Sequence, residues 1–461
     1  MRRRLTCASL GLCLALPVLA AAQPIALHPA NPHLFQFQGR PTLLITSGEH
    51  YGAVLNQDFD YIRYLDELKR HGLNLTRTFS GVYVEAWGDP WNTLNPRPGR
   101  YLAPWARSEQ PGYADGGNRF DLTKWDAGYW TRLKDFVRQA ARRGIVVEYV
   151  LFCVHYGDRE WNLSPLKESN NVNGIGSGSR SDYFRLTDRG WTDVQEQFVR
   201  KAASELKLFD NVYFELCNEP YFDNPPPIDS EWNRRMIAAI RSETTRHLIA
   251  VNVANGSGVA KEVPSGVSIL NYHYAHPPDA VAQNWHYNLV VALDETGFKG
   301  PEAAFYRKTA WDFILAGGGV YSNLDWSFSV ASPVGRDATA DAKLGPKDPA
   351  LRPQLGVLKR FMERIPAVRM KPAPELMMTT PPRAVSVRLL AETGKVVAGY
   401  VMGSGLTELA LDLPRGRYQW SWTDPASGRT AARGGRIHAG GVIVLRVPAY
   451  SEDLALQMKA K

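Results

Sequence analysis

Between about Pro41 and Ile365, short runs rich in Val, Ile, Leu and Tyr alternate with longer amphipathic stretches, and no other feature restricts the possible folds as much. Strand, crossover helix and parallel strand form the unit that such alternation builds. Strands are predicted over Thr42–Thr46, Leu73–Thr78, Ile145–Cys153, Val212–Leu216, Leu248–Asn252, Ser268–Tyr272, Leu289–Leu293 and Gly319–Leu324. Helices are predicted over Tyr61–Arg70, Trp125–Arg143, Thr192–Lys207, Trp232–Arg246, Glu302–Ala316 and Gln354–Arg364. His71-Gly72 and Arg142-Arg143-Gly144 are stop signals, cations followed by glycine, and Asp126 sits where a helix starts. Roughly eight strands in roughly 280 residues is the count and size of a (β/α)8 barrel, so the fold class is α/β.

Past Ile365 the texture changes. Pro366, Pro372, Pro374, Pro381 and Pro382 predict a stiff linker over 367–382, and alternating patterns such as Val442-Ile-Val-Leu-Arg-Val447 predict a small all-β sandwich over 383–461. At the other end, Arg2-Arg3-Arg4, the apolar run Leu5–Val18 and Ala20-Ala21-Ala22 have the order of a secretory signal, giving 1–22 as signal peptide and 23–366 as the barrel. Export to the periplasm or beyond is the expected localisation. The apolar run is short for a bilayer and no later stretch reaches about 18 apolar residues, so no membrane span is expected.

The 461 residues carry a net charge of +8, of which three units belong to Arg2, Arg3 and Arg4. The remaining bias fits a solvated surface helped by an acidic polymer as substrate; no Lys/Arg run or aromatic-basic repeat marks a nucleic-acid partner. Outside the signal only Cys153 and Cys217 remain, both within apolar runs, and two buried thiols are expected rather than a disulfide. A monomer is expected.

The chemistry is concentrated at strand ends. Asn211-Val-Tyr-Phe-Glu-Leu-Cys-Asn-Glu-Pro220 and Val290-Val-Ala-Leu-Asp-Glu-Thr-Gly-Phe298 each run an apolar strand into a glutamate, Glu219 and Glu295. A carboxylate at the mouth of an apolar strand is costly to desolvate, and two delivered in the same way suit the paired carboxyls that flank a glycosidic bond. Other strand ends carry Glu49 and His50, Arg77, His155, Asn218, His273 and Tyr274, and Asp325 and Trp326. Glu215 is expected to point inward and pair with a cation, and Asp294, next to Glu295, to point away from the centre. Two long segments, Ser80 to about Asp121 and Val154 to about Asp188, follow the second and third strands on the face where barrels build their sites, and the first is dense in aromatics. His273 and His276 lack a third ligand at suitable spacing, so no catalytic metal or other cofactor is expected.

With these residues in this order the chain resembles the retaining (β/α)8-barrel glycoside hydrolases of the cellulase-like clan, clan GH-A, in which glutamates end the fourth and seventh strands. Asn218-Glu219-Pro220 matches that clan's Asn-Glu-Pro signature, and Glu295-Thr296-Gly297 resembles its nucleophile strand. The resemblance implies Glu219 as acid/base and Glu295 as nucleophile, with Asn218 on the sugar 2-hydroxyl and Arg77 keeping Glu295 ionised. It implies Trp326 as the floor beneath the reacting sugar, and His155 with Tyr272 or Tyr274 as restraints on Glu295. Glu49, His50 and His273 complete the expected substrate site. The implied activity is cleavage of β-linked glucan, mannan or a related polysaccharide or oligosaccharide. The C-terminal segment resembles the β-sandwich domain labelled collagen-binding that follows some of these barrels; packing as a cap on the barrel is the expected role. One rival is a non-catalytic carbohydrate-binding protein on the same scaffold, which Glu295→Gln would leave unchanged; another is a metal-assisted hydrolase, which chelation would inactivate.

Overall fold

The computed structural model describes residues 23–222, 230–339, 341, 343–346 and 349–461, so the expected signal segment lies outside the described residues. Eight parallel strands make one sheet: β1 (Leu44–Ile45), β2 (Leu75–Phe79), β3 (Val146–Cys153), β4 (Val212–Asn218), β5 (Ile249–Asn255), β6 (Ile269–His273), β7 (Val290–Glu295) and β8 (Val320–Tyr321). Their order is β1-β8-β7-β6-β5-β4-β3-β2, each strand beside its sequence neighbour, as right-handed crossovers require. Asn74 closes the remaining seam between β1 and β2. Its backbone N–H donates to the Ile45 carbonyl at 3.2 Å, its side chain accepts from the Ile45 N–H at 2.9 Å and donates to the Leu43 carbonyl at 2.8 Å. The result is a (β/α)8 barrel with all eight strands where the hydrophobic pattern placed them.

Local signals explain the helix ends. Asp60, Asp126 and Asp188 each cap a helix by accepting from the backbone N–H three residues on. Gly72 and Gly144 follow the helices 61–70 and 127–142 at φ of 76° and 70°, the left-handed conformation that ends a helix.

Inward-facing Leu44, Leu75, Val146, Tyr213, Ile269, Val290 and Val320 fill the lower barrel. Beneath them lies a small antiparallel sheet that the sequence pattern did not reveal, Ala26–His28, Asn31–Phe37 and Arg40–Thr42, whose Phe35 and Phe37 plug the barrel floor. Residues 367–382 pack rather than run free: Lys371–Pro372 pairs with Ser386–Glu392, and Ala373 is fully buried.

The C-terminal domain sets a six-stranded antiparallel sheet against the two-stranded sheet Glu408–Leu413/Gly441–Arg446, with Trp422, Leu411, Ile443 and Met458 between them. It docks on the barrel helix 303–315. Trp311 stacks on Tyr400 at 5.5 Å, Arg307 bonds Asp453 at 2.9 and 3.0 Å, and Arg388 bonds Asp312 at 2.8 Å. Cys153 and Cys217 are free and buried. Among the described residues no helix is long and apolar enough to cross a membrane.

Candidate active site

Above the apolar floor the barrel interior becomes ionic. Arg77, inward from β2, donates to Glu215 on β4 at 2.6 and 3.0 Å, and Glu148 on β3 and Asp294 on β7 lie 3.8 and 3.5 Å from it. Glu215 thus pairs with a cation as its position on an inward register predicts. Asp294 corrects the expectation that it points outward: the β6/β7 ladder pairs Tyr272 with Leu293 but His273 with Glu295, skipping Asp294. This irregularity breaks the strict alternation of a strand, so Asp294 and Glu295 both reach the interior. Burial, with the charges of Asp294 and Glu215, pushes the Glu148 carboxyl well above its ordinary value.

On this base Arg77 donates to two further groups, the side-chain Oδ1 of Asn218 at 2.6 Å and Glu295 Oε2 at 3.1 Å. Tyr274 donates to Glu295 Oε1 at 2.5 Å, and Tyr51 donates to Oε2. Burial works against the ionised form of Glu295, yet His273, Arg77 and the two phenols together hold its carboxyl below the ordinary carboxylate value. Glu219 stands opposite: His273 Nδ1 lies 2.9 Å from its Oε1, and the Tyr156 hydroxyl donates to its Oε2 at 2.6 Å. One oxygen of each glutamate and a ring nitrogen of His273 lie within 4.8 Å of one another. Although burial opposes it, the negative charges of Glu295 and Asp294 keep the His273 imidazole protonated well above its ordinary range. Glu219, Tyr274, Tyr51 and Phe298 have φ of 50°, 52°, 60° and 57°, so strained backbone is concentrated at this mouth.

Of the residues named from sequence, Arg77, Asn218, Glu219, His273, Tyr274 and Glu295 are brought into one network. Between Tyr272 and Tyr274 the geometry chooses: Tyr272 turns away to the Gly258 carbonyl. His50 lines the adjoining wall, 5.1 Å from the Tyr51 ring and 5.7 Å from Trp326. Three expectations are corrected. Glu49 accepts from the Gly52 and Ala53 N–H groups at 2.7 and 3.2 Å, capping its own turn, and burial pushes its carboxyl up to about 8. His155 packs among Tyr83, Trp161 and Tyr183 with no hydrogen bond to either ring nitrogen, and burial lowers it to about 3. It restrains nothing; the next residue, Tyr156, holds Asn218 Nδ2 at 2.8 Å as well as Glu219. Trp326 is 1% exposed, with Gly297, Gly345 and Phe298 against its ring, so it offers no open floor. The exposed aromatics at the rim are Phe222, against Tyr156, and Phe298, against Tyr274.

The backbone can be matched to solved structures. A glycoside hydrolase is 14% identical, with 95% of this chain and 97% of that one covered at a TM-score of 0.66. A family 5 glycoside hydrolase from Bacteroides vulgatus is likewise 14% identical, covering 95% and 93% at 0.66. A family 30 subfamily 8 xylanase from Clostridium acetobutylicum is 13% identical, covering 95% and 100% at 0.50. The chain shares the fold of these hydrolases. A family model described as a domain of unknown function, DUF6298, matches residues 92–229, from the aromatic segment after β2 to beyond Glu219. No curated protein sequence matches.

Two triads have the donors for a metal ion: Glu219, His273 and Glu295 at the mouth, and Glu148, Glu215 and Asp294 below it. His273 belongs to the first, and Arg77 lies beside the second, 2.6 Å from Glu215.

Tyr51, Tyr156 and Glu148 were missed from the sequence. Tyr51 and Tyr156 each follow a histidine that was singled out, and nothing in their local pattern says which neighbour turns inward. Glu148 carried a signal: an acidic residue within the apolar run Ile145–Cys153.

Proposed function

We propose that the protein is a retaining glycoside hydrolase acting on a β-linked polysaccharide or oligosaccharide, with Glu295 as nucleophile and Glu219 as acid/base. The observation that carries this reading is the pair itself: two glutamates from the ends of β4 and β7, with oxygens within 4.8 Å, held in different hydrogen-bond environments. Oxygens this close are compatible with the spacing of a retaining pair, whose carboxyl groups stand about 5 to 5.5 Å apart. The similarity of fold to glycoside hydrolases points the same way.

In this mechanism Glu295, kept ionised by Arg77, His273 and the phenols of Tyr51 and Tyr274, attacks the anomeric carbon. Glu219 gives its proton to the leaving oxygen. A glycosyl ester on Glu295 results, and Glu219 then takes a proton from water as that water displaces the ester, restoring both groups. Tyr156 and His273 hold the Glu219 carboxyl in reach of the leaving oxygen, and Phe222 and Phe298 at the rim are placed to stack on sugar rings.

A polysaccharide panel, with product sizing and NMR assignment of the first-formed anomer, tests the activity and its stereochemistry. Glu295→Gln should lower kcat by roughly 10⁴-fold or more, on the scale of losing a nucleophile. Hydrolysis that continues unchanged in that variant, or an inverted product, sinks the reading.

A further inference from the structure

A third carboxyl stands on the wall beside Glu295. Glu85 lies in the aromatic segment that follows β2, with its side chain 15% exposed. Its Oε2 accepts from the Trp91 indole N–H at 3.2 Å, and its backbone carbonyl accepts from the Asn92 side chain at 3.1 Å. Trp91 holds a second group as well: its carbonyl oxygen accepts from His50 Nδ1 at 2.5 Å and from the Trp326 indole at 3.0 Å. Burial lowers the His50 pKa, so the ring is neutral, and with its hydrogen on Nδ1 it leaves Nε2 as an acceptor. That nitrogen faces Glu85 Oε1 at 3.8 Å, too far for a hydrogen bond. The Tyr83 hydroxyl is buried without a hydrogen-bond partner, and after burial itself the charge of Glu85 acts on it most strongly.

This wall belongs to the side of the nucleophile. The His50 ring packs on Tyr51, which donates to Glu295, and the charge of Glu295 acts on both His50 and Glu85. In a double displacement the sugar bonded to the nucleophile is the glycone, and the leaving group departs beside the acid. Arg77 and His273 are already engaged there, the first by Glu215, Asn218 and Glu295 and the second by Glu219.

We propose that Glu85 and His50 clamp two adjacent hydroxyls of a neutral glycone sugar and so determine which glycan the barrel accepts. This rests on the glycosidase reading of the site. One hydroxyl donates to His50 Nε2 and its neighbour to Glu85 Oε1, with the Tyr83 phenol as a further donor. Because Trp91 anchors both acceptors, they meet the diol without rearrangement, and a ring lacking one of the two hydroxyls would leave a buried acceptor unpaired. A uronate would instead bring another negative charge beside Glu85 and Glu295, where Arg77 and His273 are committed to other partners.

Calorimetric titration of the full chain carrying Glu295→Gln tests the clamp, with mannopentaose, cellopentaose and xylopentaose as neutral probes and pentagalacturonate as the acidic one. At least one neutral probe should bind, tenfold or more tighter than pentagalacturonate. Adding Glu85→Ala or His50→Ala should weaken that binding at least tenfold, and Glu85→Gln, which keeps a side-chain carbonyl in place, should lose less. Monodeoxy analogues of the bound probe complete a cycle: one of them should bind equally weakly with and without Glu85, a result that a merely structural role would not produce. Binding of none of the probes, equal affinity for pentagalacturonate, variants that bind like their parent, or a full loss on Glu85→Ala with every deoxy analogue would overturn it. Turnover separates this proposal from the catalytic one. Probe binding that depends on Glu85 without hydrolysis by the parent removes the catalytic reading and keeps the clamp, whereas hydrolysis with kcat/KM unchanged in Glu85→Ala removes the clamp alone.

Discussion

The buried Glu295 carboxyl, the nucleophile of the proposed mechanism, is held ionised by two cations and two phenols, Arg77, His273, Tyr51 and Tyr274, rather than by one cation. Removing one donor should therefore shift the titration without abolishing activity. In Tyr51→Phe, Glu295 loses a hydrogen bond to its charged form, so its pKa rises and the acid limb of kcat/KM moves to higher pH, with a fall at the optimum of about tenfold or more. A pH–rate profile checks both. Glu49 makes the opposite case, a buried carboxyl whose folded pKa is raised to about 8 from 4.5. Because the folded state holds this proton more tightly than the unfolded state, its stabilisation is complete below pH 4.5 and lost as pH rises toward 8. Melting temperature should fall less steeply over that window in Glu49→Gln, the difference amounting to a few kcal/mol at most. The glutamates themselves were legible because a carboxylate ending an apolar strand is energetically conspicuous. Tyr51 and Tyr156 were not, since a phenol beside a histidine in a loop carries no periodic signal.

At the scale of elements, helices and strands were legible to within a few residues because each pairs a hydrophobic period with a terminating signal, as in Tyr61–Arg70 followed by Gly72. What escaped were the junctions, the sheet under the barrel floor and the hairpin Trp105–Pro111/Asn118–Trp125. The barrel seam depends on Asn74, whose three hydrogen bonds tie β2 to β1. Asn74→Ala removes the two made by the side chain and leaves the buried Ile45 N–H without a partner, so it should cost about 2 to 4 kcal/mol in chemical denaturation. The skipped Asp294 between β6 and β7 is a junction of the same kind, invisible to an alternation rule because the rule assumes an unbroken ladder. His155, expected as a site residue from its place at a strand end, instead faces an aromatic cage just beyond the end of β3.

At the scale of the whole molecule, the sandwich is docked through buried charge as well as stacked rings. Arg307 is 3% exposed, and its partner Asp453 also accepts from Tyr400 at 2.9 Å. Asp453→Ala leaves that guanidinium with only Glu452 and Gln354, at 2.7 and 3.1 Å, and should cost about 2 kcal/mol, a few degrees in melting temperature by calorimetry, while Asp453→Asn should recover part of it through the remaining hydrogen bonds. Calorimetry of the parent should show barrel and sandwich melting together, since Trp311 and Tyr400 pack into one core. By itself the sequence determined the βα alternation, the eight strands and the two glutamates at their ends, because hydrophobic period and turn chemistry are local properties. Tertiary structure alone decided which neighbour of each glutamate became its partner, and how Asp294 and Glu295 both turned inward. Those outcomes depend on which side chains meet across the barrel mouth and between strands far apart in sequence, and no local pattern records such meetings.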